Sequence, residues 1–191
     1  MLGQVIRGVV AGISLFAAGA ALAADPHAGH APAGEDTGAS ARPTADCAAP
    51  APLAGPLAAW TSPVAMAAGA TRQAAVRGPL ATGQAVRLAL PRTSDVRYAL
   101  RPEKPGGSVS YGGLVRFDVR EAGTYRVALG SGAWIDVVAR GKAVRSIAHG
   151  HGPQCSGIRK MVDFPLEPGR HILQIAANGE PEISVLIARL P

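Results

Sequence analysis

From residue 84 large apolar residues recur at every second position, between small or polar ones. Val86, Leu88 and Leu90 alternate with Ala85, Arg87 and Ala89, the two-residue period of a half-buried strand. The same period recurs over Val96–Leu100, and in Val115, Phe117 and Val119 against Arg116, Asp118 and Arg120. It returns in Tyr125, Val127 and Leu129, and in Ile135 and Val137, flanked by Trp134 and Asp136. Further strands are predicted over Lys142–Ala148, Arg159–Phe164, His171–Ala176 and Ile183–Leu190. Turn signals separate them: Gly123, Gly130 and Gly132, Arg140 with Gly141, Pro168 with Gly169, and Asn178 with Gly179. Strands recurring at intervals of about 8–12 residues, with no long helix between them, predict a sandwich or barrel. The expected fold is all-β: an antiparallel two-sheet β-sandwich, jelly-roll-like, over residues 84–191.

The pattern is different upstream. Residues 47–83 are rich in Ala, Pro and Gly but contain Leu53, Leu57, Trp60, Val64 and Met66, enough to pack as an irregular arm. A short helix around Leu57–Trp60 is expected, tightly bracketed by Pro56 and Pro63. Residues 25–46 have almost nothing large and apolar, so they cannot offset their ordering entropy and read as a disordered tail. His27 and His30 in that tail have a spacing that can hold copper or zinc loosely, and solvated histidines are the plainer reading. Residues 1–24 carry one cation, Arg7, then an apolar run ending in small residues, the form of a secretory signal peptide. After its cleavage no membrane span is expected.

Composition narrows the function classes. The chain has 19 Lys and Arg against 13 Asp and Glu, a net charge of +6. The cations are scattered, only Arg159 and Lys160 being adjacent, so no phosphate-gripping run exists and nucleic acid is an unsuitable partner. Two cysteines in an exported chain most simply form one disulfide, Cys47–Cys155. Its long loop would contribute roughly 4–5 kcal/mol in the chain-entropy model. The alternative is Cys155 as a thiolate metal ligand.

The densest chemistry lies between Ser146 and Asp163, where glycines at 150, 152 and 157 and Pro153 interrupt pairing around His149, His151 and Cys155. If residues 149–151 are extended, both imidazoles point the same way, as ligands of one ion must. His171 or Asp163 could supply a third ligand, and Cu, Zn or Fe are the candidate ions. Otherwise the histidines hydrogen-bond loop carbonyls and shape the loop beside the disulfide. A third reading gives Trp134, Tyr111 and Arg159 a role in binding a small molecule or glycan. Nucleophilic catalysis has little basis, since Ser110 and Ser131 stand in no Gly-x-Ser-x-Gly frame.

Two resemblances bear on these readings. The segments FDVREAGTYRVAL (117–129) and LEPGRHILQI (166–175) resemble the hairpin repeat of pre-peptidase C-terminal domains, which implies a secreted jelly-roll module that binds or chaperones. The segments EKPGGS (103–108), GAWIDVV (132–138) and AHGHGPQCSGIRKMVDF (148–164) resemble small exported alphaproteobacterial proteins labelled homogentisate 1,2-dioxygenase. That resemblance implies a metal-dependent oxidoreductase. Dioxygenases of that name hold Fe(II) with two His and a Glu on a cupin barrel. Here His149 and His151 would offer the imidazoles, while the nearest downstream acids, Asp163 and Glu167, stand in no matching motif.

Two function classes follow. One is a periplasmic or secreted binding or interaction module for a small molecule, glycan or protein. The other is a small metal-dependent protein using the His149/His151 loop.

Overall fold

The computed structural model describes residues 47–191, so the expected signal peptide, the tail, His27 and His30 lie outside the described residues. Ten strands are formed among the described residues: β1 Val64–Ala67, β2 Ala85–Ala89, β3 Tyr111–Val119, β4 Gly123–Leu129 and β5 Trp134–Ala139, then β6 Lys142–Val144, β7 Ala148–Gly150, β8 Lys160–Leu166, β9 Gly169–Asn178 and β10 Glu182–Arg189. They make a six-stranded sheet in the order β1-β2-β10-β4-β8-β7 and a four-stranded sheet in the order β3-β9-β5-β6. The two sheets pack face to face as an all-β sandwich. Val86, Leu88, Phe117, Val127, Leu129, Val137, Leu173, Ile175, Val185 and Ile187 fill the space between them. These are the apolar members of the alternation, directed to one side by the pleat.

Every strand pair is antiparallel except one. β1 runs parallel to β2, with Val64 opposite Val86 and Ala67 opposite Ala89, and the connection between them contains the short helix α1, Arg72–Ala75. The Pro/Ala-rich arm therefore supplies an edge strand as well as packing. Its expected helix is a 3-10 turn over Gly55–Thr61, which lies on the outer face of the six-stranded sheet. There Trp60 packs with Ala85, Ala128, Ile158, Leu186 and Ala188 in a second apolar cluster joined by Leu53 and Leu57. The alanines of β2, β4 and β10 leave room for the indole.

Two other expectations need correction. Val96–Leu100 is not a strand: a 3-10 turn, Thr93–Asp95, precedes it, and the segment lies across the outer face of the four-stranded sheet. Gln174 of β9 explains why. Its amide accepts from Leu100 N–H and donates to Leu100 C=O, doing with a side chain what a neighbouring strand would do with its backbone. Lys142–Ala148 is likewise not one strand. Its first residues pair with β5 in the smaller sheet and its last with β8 in the larger, because the chain crosses between sheets at 145–147. The hairpin before it turns on Arg140 and Gly141, with φ of 50° and 79°. Two consecutive positive φ values are what a two-residue turn needs to match the strand twist.

No helix among the described residues is long and apolar enough to cross a membrane.

Candidate functional site

The His-rich loop is tied down from several directions. Cys155 is bonded to Cys47, and Cys155 C=O accepts from Ala51 N–H at 3.0 Å. Trp60 Nε1 donates to Ser156 C=O at 2.9 Å, while Ser156 Oγ donates to Pro153 C=O and accepts from Ile158 N–H. Disulfide, arm and loop thus form one unit.

His151 belongs to that unit, its Nδ1 lying 2.9 Å from Arg159 C=O. His149 stands two residues earlier, on the exposed edge strand β7, opposite Val162. The proposed additional ligands do not join them. Asp163 is buried and holds Arg126 of β4 with two hydrogen bonds of 2.8 Å, so both of its oxygens are engaged. His171 is buried in β9 on the other sheet, stacked on Phe117 with ring centres 5.3 Å apart, and its Nδ1 meets Gly169 C=O. Cys155 is in a disulfide, which removes it as a thiolate ligand. Among the described residues, no three His, Cys, Asp or Glu side chains converge as metal ligands would. The four side chains expected from sequence to share a metal are spread over two sheets, and three of them, His151, Asp163 and His171, already have hydrogen-bond partners of their own.

The ligand-binding trio also separates. Tyr111 begins β3, at the opposite edge of the four-stranded sheet from β6, and lies beneath Arg92. Arg159 is exposed in the loop before β8. Trp134 alone of the three lines a substantial cleft.

That cleft, about 450 Å³, opens where β6 and β7 form the free edges of the two sheets. Its apolar wall comes from Ile135, Val144, Val162 and Phe164, and its polar groups from Lys104, Asp136, Ser146, His149 and Lys160. A volume of that size suits a small organic ligand. Trp134 and Asp136 face outward because Ile135 and Val137 face the core. Trp134 Nε1 donates to Asp136 Oδ1, and Gln174 Nε2 donates to Asp136 Oδ2 at 2.7 Å. Asp136 therefore fixes the indole and is fixed in turn by the residue that holds down the 96–104 crossing.

Two ammonium groups meet the indole. Lys104 Nζ lies 5.6 Å and Lys160 Nζ 5.7 Å from the Trp134 ring centre, within reach of the negative ring face. Lys160 also donates to Ala133 C=O at 2.9 Å. Burial and the nearby Lys104 charge hold the Lys160 pKa below its usual value, with Asp136 opposing them. Lys104 is placed by a loop in which Gly106 has a φ of 86° and approaches Ser110 and Ala177 too closely for a side chain. Neither lysine was among the candidates read from sequence. One signal was there: the chain has only three lysines, and two of them are these.

Two larger clefts offer less chemistry. One, about 610 Å³, is lined by turn residues around Arg140, Glu167 and His171. The other, about 510 Å³, contains Ser131 and Asn178, which bond to each other, Asn178 also donating to Glu180 and Glu182 carbonyls. Ser110, the other hydroxyl weighed from sequence, donates to Gly107 C=O.

No known family model and no curated protein sequence matches the chain.

Proposed function

We propose that this protein is an exported binding module that takes a small molecule into the Trp134 cleft at the open edge of its β-sandwich. The observation that carries the reading is the convergence on one indole of two cations and a fixed carboxylate, beside an apolar wall. The parts come from both sheets and from a crossing segment, so the rigid sandwich sets their spacing. The Cys47–Cys155 disulfide fits an oxidising compartment, in keeping with export to the periplasm or beyond. The metal-dependent reading has less support, because the side chains it requires are engaged elsewhere.

A small-compound screen by ligand-observed NMR, run on wild type and on Trp134→Ala, tests the proposal. Compounds that bind wild type should lose most of their signal with the variant. A screen in which every hit binds both proteins equally would place the site elsewhere.

A further inference from the structure

Resting on that reading, we infer that the cleft selects an organic anion: an acidic group held between Lys104 and Lys160, with an apolar body against Val144, Val162 and Phe164. Three features of the site point to this class.

The first is the balance of donors and acceptors. Each Asp136 oxygen already accepts a hydrogen bond, one from Trp134 and one from Gln174. Lys104 Nζ has no hydrogen-bond or ion-pair partner among the described residues, and Lys160 spends one of its three protons on Ala133 C=O. With Ser146 and His149 also exposed at the rim, the unspent polar groups are mainly donors, and a ligand must bring acceptors.

The second is charge. Two ammonium groups close enough to share an indole repel each other, and Asp136, which keeps its charge while accepting from two neutral donors, offsets that repulsion only in part. An anion between them removes that repulsion and gains two charge-assisted bonds. The interaction is strengthened on the Lys160 side, where the cleft is partly shielded from water.

The third is the wall. Half-buried Val144 and the edges that buried Val162 and Phe164 show to the cleft give an inorganic ion nothing to replace the water it would displace, whereas an apolar body gains by covering what they leave open.

The test is calorimetric titration of the purified protein with 2-naphthoate, with its neutral counterpart 2-naphthamide and with inorganic sulfate. Naphthoate should bind about tenfold or more tightly than naphthamide, and the preference should shrink as salt is added. Sulfate should bind much more weakly than naphthoate. The exposed Lys104→Gln should erase most of the naphthoate preference while leaving the melting temperature unchanged. Lys160→Gln should act in the same direction, but its stem is half-buried, so Lys104→Gln is the deciding variant.

Equal affinity for naphthoate and naphthamide would overturn the anion inference and leave the cleft as a binding site. Sulfate binding as tightly as naphthoate would overturn the apolar half of it. Naphthoate binding that survives both Lys104→Gln and Trp134→Ala would put the anion elsewhere on the molecule. Binding of neither naphthalene compound would also overturn the inference, while the cleft reading is judged separately by the compound screen on Trp134→Ala.

Discussion

At the scale of single residues, the groups that looked most chemical in the sequence are largely occupied with structure. Asp163 faces Arg126 directly across the β4–β8 ladder and is nearly buried. Arg126→Met would leave that carboxylate without its partner, at a cost of about 1–3 kcal/mol. Arg126→Met with Asp163→Leu should cost less than the sum of the single changes, as measured by chemical denaturation in a double-mutant cycle. His171 shows its structural role through pH. Burial holds its pKa below the usual value, which outweighs the hydrogen bond to Gly169 C=O. As pH falls below about 6.5 the unfolded chain takes up a proton that the folded chain still refuses, so stability declines on the acid side. His171→Phe, which keeps an aromatic ring against Phe117, should flatten thermal stability between about pH 7 and pH 5 relative to wild type. An equally steep decline in the variant would assign the slope to other groups.

At the scale of elements, most of the sandwich was legible in the sequence. Period-two alternation located nine of the ten strands, β6 and β7 as one segment, β3 four residues short at its start and others a residue or two short, because one face of most strands is buried in the core. The failures have separate physical causes. Val96–Leu100 has the right period, but its backbone partner is the Gln174 side chain, a contact 74 positions distant that no local pattern reveals. β1 was hidden because Val64 and Met66 sit among Ala and Pro, and the edge strand is paired on only one side. The site was less legible still. Trp134 stood out by residue type, but Lys104 and Lys160 reach it from thirty and twenty-six positions away in the chain, through a crossing segment and a strand of the other sheet.

Gln174 is therefore a residue on which an element depends. Gln174→Leu would lose three hydrogen bonds, and the backbone groups of Leu100 and a carboxylate oxygen of Asp136 would lack their partners. A destabilisation of about 2–4 kcal/mol is expected, together with faster hydrogen exchange at the Leu100 amide. Unchanged exchange at Leu100 would show that the crossing is held by other contacts.

At the scale of the whole molecule, the arm and the sandwich act as one body. The disulfide joins Cys47 to the loop before β8, and Trp60 joins the same loop by its indole N–H. Replacing both cysteines with alanine should lower stability by about 2–5 kcal/mol. A thiol assay on denatured, unreduced protein should find no free thiol, and two titratable thiols would refute the bridge. On this account the interior and the disulfide provide rigidity, and the open edge between β6 and β7 provides access to the cleft.

The central claim is that ligand enters at Trp134, and the indole N–H of that residue reports on it most directly. The chain has two tryptophans, so two indole signals are expected in a nitrogen–proton correlation spectrum, with Trp60→Phe assigning them. On titration with a bound small molecule, the Trp134 signal should move in step with saturation while that of Trp60 stays in place. Movement of Trp60 alone, or of neither indole while binding is measured independently, would contradict the account.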